Sequence, residues 1–152
     1  MHPTSLPGTQ GIGVLNKAVD HWIDFLSESG IKYWQICPLG PTGYADSPYQ
    51  CFSAFAGNPY LIDLEPLVEA GLIPSSALRS LANLPTDKVN YTAVSQNKMQ
   101  ILWEAYKELA KKPYRLPYEN YDEFRSRNSY WLDSYSIFMA LKDVHKSTPW
   151  WE

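Results

Sequence analysis

The sequence predicts an α/β protein: half of a βαβ unit at the front, followed by a mostly helical stretch. Three observations carry that reading. Between His2 and Cys37 a Pro/Gly loop, an amphipathic helix, a two-residue turn and a short apolar run follow one another, the order of a loop, a crossover helix and a parallel strand. Helical periodicity then recurs from Glu65 to His145. Hydrophobic residues are 45% and charged residues 19% of 152 residues, enough apolar material for a core and too much for wholesale disorder.

Each element has its own local cause. His2–Gly13 reads HPTSLPGTQGIG, and its prolines and glycines make it a loop. Val14–Ser29 is a helix with Val19, Trp22, Ile23 and Leu26 on one face, Asn16 as a cap and Gly30 as terminator. Ile31–Cys37 is apolar enough for a parallel strand buried on both faces. Pro38–Tyr60 is a long loop, and Leu61–Leu64 a brief extended piece. Glu65–Ala70 is a short helix ended by Gly71, and Pro74–Leu84 another, with Ser75 or Ser76 capping. Pro85–Tyr91 is connection. Val94–Lys111 is a strong helix with Val94, Lys98, Ile101, Leu102, Ala105 and Leu109 along one stripe. Lys111 and Lys112 suit its C-terminal dipole, and Pro113–Pro117 breaks it. Asp122 caps a short turn through Arg127. Ser129–His145 is the last helix, with a wide apolar face that predicts deep burial. The chain opens inside a loop and closes on Pro149-Trp150-Trp151-Glu152, ends that read as cut from something larger.

Composition excludes several classes of function. Net charge is −3 and no Lys/Arg run stands out, so electrostatically driven binding to nucleic acid or to a membrane surface has no support. Two cysteines, Cys37 and Cys51, make no disulfide framework and read as free thiols in a reducing compartment. No apolar run approaches a membrane span and no secretory leader is visible. A cytoplasmic protein is expected. His2, His21 and His145 are scattered, so no metal site is expected, and no cofactor fingerprint survives. GTQGIG at Gly8–Gly13 has the wrong spacing for a dinucleotide loop.

The chemistry concentrates between Pro38 and Asp63. Tyr44, Tyr49, Phe52, Phe55 and Tyr60 interleave there with Asp46, Ser47, Gln50, Ser53 and Asn58. Aromatic rings beside short hydrogen-bonding groups can stack on a sugar ring and bond its hydroxyls. On composition alone, the plainer reading is preferred: an ordered loop whose aromatics plug the end of a sheet. Glycoside chemistry needs two carboxylates, and Asp46 and Asp63 are the acids in this loop. Asp46 before Ser-Pro reads as a turn former, and Asp63 as a helix N-terminal residue.

Three blocks nonetheless stand together: HPTSLPGTQGIG, then YWQICPLGPTGYADSPYQCFSAFAGNPYLIDLEPLVEAGLI, then WLDSYSIFMALKDVHKSTPWWE. With them the chain resembles the 4-alpha-glucanotransferases (amylomaltase, or disproportionating enzyme) over almost its whole length. The resemblance implies the N-terminal part of a (β/α)8 barrel with a mostly helical inserted subdomain. Residues 1–64 would supply the first βαβ segment with the substrate-binding loop, and residues 65–152 the helical insertion. It implies transfer of α-1,4-glucan segments between maltooligosaccharides or starch- and glycogen-type glucans by a retaining mechanism. The nucleophile, the acid/base and the stabilising aspartate lie on later strands, so no residue here inherits a catalytic role. What carries over is substrate contact. Ser47, Tyr49 and Gln50 match an SPYQ loop lining the cleft, with Asp46 beside them. Tyr44 matches an aromatic of a secondary glucan site, and Tyr91 a tyrosine on the acceptor side. Cys51 stands where a serine is common. The alternative is a non-catalytic glucan-binding or structural fragment.

Overall fold

The structure, a computed structural model, describes residues 1–111, 120–145 and 148, with the side chain of Tyr44 outside that description. Its elements are helices α1 (Lys17–Glu28), α2 (Glu65–Glu69), α3 (Arg79–Ala82), α4 (Tyr91–Lys111) and α5 (Tyr121–Val144), joined by short 3-10 turns. The expected break at Pro113–Pro117, Lys112 and the terminal Pro149-Trp150-Trp151-Glu152 lie outside the described residues. No described helix is long and apolar enough to cross a membrane.

Helix α1 starts where Asn16 Oδ1 accepts from Ala18 N at 2.9 Å, closing one of the first turn's open donors. It stops at Gly30, which takes φ 72°. Trp22 stacks on Phe25 at 5.5 Å and meets Trp34 edge-on at 6.1 Å, so α1 leans on the apolar segment that follows it. Trp34 Nε1 in turn donates to the Met1 carbonyl at 2.8 Å. The N-terminal residue, α1 and the apolar run are therefore in mutual contact through Trp22 and Trp34.

The strand itself is a correction. Ile31–Cys37 forms no ladder, and among the described residues the one β contact is an isolated antiparallel bridge between Thr42 and Cys51. A strand exists only through ladder bonds to a partner's N–H and C=O groups, and the described contact to this segment from the N-terminus is a side-chain bond, Trp34 to the Met1 carbonyl. Burial fails for the same reason: Tyr33 is 90% exposed, and Ile31 and Ile36 are also exposed.

The core lies elsewhere, among Leu64, Leu72, Ile73, Leu81, Ile101 and Ala105, where α2, α3 and α4 close on one another. A second cluster of Ile12, Val14 and Val94 joins the N-terminal loop to α4. Helix α4 buries Val94, Lys98, Ile101 and Ala105 of the stripe that the periodicity predicts, with Leu102 and Leu109 partly buried beside them. It begins at Tyr91 rather than Val94, because Asn90 Oδ1 accepts from Ala93 N at 3.1 Å and caps the earlier turn. Ser75 and Ser76 do not cap. Pro74 occupies that position without a side-chain bond, and its carbonyl accepts from Ala77 N at 2.9 Å. The brief extended piece expected at Leu61–Leu64 reduces to Ile62, between the end of a 3-10 turn over Pro59–Leu61 and the lead-in to α2 at Leu64.

Helix α5 corrects two further expectations. It is one helix, capped by Asn120 rather than Asp122. Asn128 does not interrupt it, because its amide donates to the Phe124 carbonyl at 2.8 Å and its oxygen accepts from Trp131 Nε1 at 3.0 Å. Nor is it deeply buried. None of its residues is fully enclosed, and Leu141 and Ile137 are exposed. Its described packing is a row of ring contacts to the Phe52–Phe55 segment, which covers one side only.

Lys98 is the largest fully buried side chain, at 0% exposure. Its Nζ donates to the Tyr60 carbonyl at 2.8 Å and to Gln10 Oε1 at 3.4 Å. Burial lowers its pKa from 10.5 to about 8, against the opposing pull of Asp63. Between those values the unfolded chain holds a proton that the folded chain has released. Stability contributed by this group therefore rises with pH across that window and is lost as pH falls through about 8.

Two predictions follow from packing. A methyl group on Gly13 would run into Pro3 O and come within 2.7 Å of Leu6 N, both fixed backbone, whereas at Gly30 nothing lies within 4 Å. Gly13→Ala is expected to cost about 3 kcal/mol or more, and Gly30→Ala only about 1 kcal/mol for its left-handed backbone. Equal losses in urea denaturation would contradict the packing at Gly13. For Lys98, native and Lys98→Met proteins compared by urea midpoint from about pH 7.5 to about pH 10.5 should diverge. The native protein is expected to gain about 3 kcal/mol relative to the variant as the pH rises, and parallel curves would place Lys98 in water.

Candidate functional site

The Pro38–Tyr60 loop is closed at its base by Asn58 N donating to the Leu39 carbonyl at 2.8 Å. It is crossed higher up by the isolated Thr42–Cys51 bridge, in which Phe52 N donates to the Pro41 carbonyl at 3.2 Å. These rungs leave Gly43–Gln50 as a tight tip. Within the tip Asp46 N donates to Gly43 O at 3.3 Å and Gln50 N to Ser47 O at 3.1 Å. Ala45 and Asp46 both take left-handed backbone, with φ of 55° and 53°. For residues carrying a Cβ that costs about 1–2 kcal/mol each, so the rungs below hold the tip in a shape it would not adopt alone.

That shape places the expected contact residues in order. Asp46 and Ser47 are half-buried, while Tyr49, 76% exposed, and Gln50 stand out side by side. Tyr49 Oη lies 3.5 Å from Cys37 Sγ, which brings the tip against the end of the apolar segment. The thiol contact raises the phenol's pKa above its usual value, and Tyr49 presents a hydroxyl and a ring face. Tyr44 belongs by its backbone to the turn over Tyr44–Asp46; its side chain lies outside the description. Tyr91 opens α4 and packs against the Ile12, Val14 and Val94 cluster, so its described contacts are with the core and not with the loop tip.

Asp63 has a structural place. Its Oδ1 accepts from Gln10 Nε2 at 2.6 Å and from Glu65 N at 3.2 Å, the helix-start role that its position predicts. Cys37 and Cys51 are free thiols, and Cys51 Sγ donates to the Pro48 carbonyl at 2.8 Å. Among the described residues no three His, Cys, Asp or Glu side chains converge as metal ligands.

An aromatic groove was not legible in the sequence. Phe52, Ser53 and Phe55 on the loop and Trp131, Tyr135 and Phe138 on α5 line a shallow groove open to solvent. Phe55 stacks on Trp131 at 5.9 Å and 22°, Tyr130 meets Phe55 edge-on at 5.5 Å, and Phe52 tilts against Phe138 at 5.9 Å. The Lys142 ammonium lies 5.4 Å from the Phe52 ring centre. Burial raises the Tyr135 pKa. Both rows of rings are visible in the sequence, but no local pattern announces a pairing between segments so far apart. A larger cavity of about 580 Å³ lies between the Thr4–Gly13 loop and Leu81–Val89, and its wall holds no aromatic ring.

A family model described as 4-alpha-glucanotransferase matches residues 1–152, and the chain belongs to that family. It is 47% identical over 150 residues to the 4-alpha-glucanotransferase of Thermus thermophilus, covering 99% of this chain and 29% of that protein. It is 43% identical over 152 residues to the Clostridium butyricum 4-alpha-glucanotransferase, covering 99% of this chain and 30% of that protein. Among solved structures it is similar to the amylomaltase from Streptococcus agalactiae in complex with acarbose. There the TM-score is 0.82 at 34% identity, over 97% of this chain and 30% of that one. The chain thus spans about 30% of the length of the relatives it matches.

The Cys51 bond generates a test of the loop's construction. A serine hydroxyl can donate to the Pro48 carbonyl as the thiol does, whereas a valine leaves that carbonyl without its donor. Cys51→Ser is expected to change stability by less than about 0.5 kcal/mol and Cys51→Val to cost about 1 kcal/mol. Thermal denaturation of the two variants checks the order, and a more stable valine variant would remove the bond from the account.

Proposed function

We propose that this chain serves as the N-terminal part of a 4-alpha-glucanotransferase and supplies glucan contacts, not the reacting acids. The observation that carries the reading is the family match across residues 1–152, together with a loop tip that presents an aromatic ring, an amide and a hydroxyl to solvent. In this reading α-1,4-glucan segments pass between maltooligosaccharides or starch- and glycogen-type glucans with retention of configuration. Ser47, Tyr49 and Gln50, with Asp46 shaping the tip, line the cleft. Tyr44 serves a secondary glucan site, and Tyr91 the acceptor side. The similar Streptococcus agalactiae amylomaltase was solved in complex with acarbose, which supports a ligand of that class for proteins of this fold. The chain is read as part of a (β/α)8 barrel, whose active-site loops follow the C-terminal ends of its strands. Residues 1–64 then carry the barrel segment and residues 65–152 a helical insertion. The free thiols agree with a cytoplasmic setting.

The test uses a hybrid in which residues 1–152 replace the matching part of the Thermus thermophilus relative. The hybrid should lengthen maltotriose, and the chain alone should leave it unchanged. In the hybrid, Tyr49→Ala loses a stacking face and Gln50→Ala a paired donor and acceptor. Each is expected to lower kcat/KM on maltotriose by roughly one to two decades, the worth of about 1–3 kcal/mol. Tyr44→Ala should spare maltotriose turnover and shift the product sizes made from amylose. Native turnover by both Tyr49→Ala and Gln50→Ala would remove the loop from the site.

A further inference from the structure

The buried polar and charged residues described in the structure are Gln10, Asn58 and Lys98, at 3%, 8% and 0% exposure. They are one connected set. Lys98 Nζ donates to the Tyr60 carbonyl, and Tyr60 N donates to Asn58 Oδ1 at 2.9 Å. Asn58 N closes the loop base on the Leu39 carbonyl. On the other side, Gln10 Oε1 accepts from Lys98 Nζ and from Leu64 N at 3.3 Å, while Gln10 Nε2 holds Asp63. The lysine therefore ties the middle of α4 to both the base of the Pro38–Tyr60 loop and the N-terminal loop. A buried ammonium is costly unless it is paired. An apolar side chain would fill the same stripe on α4 but could not hold the Tyr60 carbonyl.

We infer that Lys98 is a positioning residue for substrate binding: through Tyr60 and Asn58 it sets the height and angle at which Tyr49 and Gln50 meet the glucan. The inference rests on the proposed function for its substrate but not for its mechanics. Lys98 touches no glucan and takes no part in bond making. Its charge is spent inside the protein, and its effect reaches the ligand through a chain of backbone and amide bonds. Displacing the loop base weakens binding without disturbing a reacting group, so the signature is a change in KM.

In the hybrid described above, Lys98→Met is expected to raise KM for maltotriose about tenfold while kcat stays within about twofold. A merely structural role would lower the active fraction, hence kcat, at constant KM. Gln10→Ala, which removes the second support without emptying the core, should show the same split at smaller amplitude and covers the case in which Lys98→Met does not fold. Lys107→Met, which removes an exposed lysine on the same helix paired with Glu104, should leave both constants unchanged. Hydrogen exchange on the same proteins reads the mechanics directly. The amides of Phe52, Asn58 and Leu61 should exchange about tenfold faster in Lys98→Met, with those of α5 unaffected. Unchanged KM in both network variants, or native exchange at those amides, overturns the inference. A native-sequence hybrid that fails to lengthen maltotriose overturns the proposed function instead, and the exchange result then decides the loop's anchoring alone.

Discussion

Much of this structure depends on one ammonium group kept out of water. Lys98 lies among Val94, Ile101 and Ala105, on a helix face that would otherwise be wholly apolar. Removing a charge from water costs several kcal/mol by any reckoning, and the hydrogen bonds to Tyr60 and Gln10 offset only part of it. The lowered pKa expresses that residual cost. What the arrangement provides is a fixed register. Three segments that share no regular secondary structure, the N-terminal loop, the loop base and α4, are bonded through a single point.

Such a point matters because the Pro38–Tyr60 loop has little else to stiffen it. Its rungs are the Asn58–Leu39 backbone bond and the isolated Thr42–Cys51 bridge, and its tip holds two left-handed residues in sequence. Strained backbone of this kind persists only where its surroundings over-determine it. Asn58 does much of that, with its backbone closing the loop on Leu39 and its side chain capping the turn that Lys98 grips. The exposure of Tyr49 and Gln50 is thus a consequence of buried bonds further down the loop, not of their own local preferences.

Helix α5 is attached by different physics. Its contacts to the loop are ring against ring, supported by the cation over Phe52. Stacked and edge-on aromatic pairs are worth about 0.5–1.5 kcal/mol each beyond the area they bury, and they tolerate sliding more than a hydrogen-bonded register does. The loop is consequently held firmly at its base and softly along its flank.

Local signals in the sequence were enough for elements whose stability is local. The cap at Asn16, the stops at Gly30 and Gly71, the stripe on α4 and the helix-start role of Asp63 all depend on neighbours within a turn or two, which a reader of the sequence can see. The aromatic loop was visible as a composition, and the family through its motifs. Tertiary structure decided everything that depends on a distant partner. Ile31–Cys37 forms no ladder because pairing requires a second segment. Helix α5 is half-exposed because burial requires a neighbour. Lys98 looked like one more position on a stripe until Tyr60 and Gln10 came within hydrogen-bond reach. A charged side chain in an apolar row is legible as an anomaly in the sequence, but its meaning lies in a carbonyl 38 residues away, and only the folded chain brings the two together.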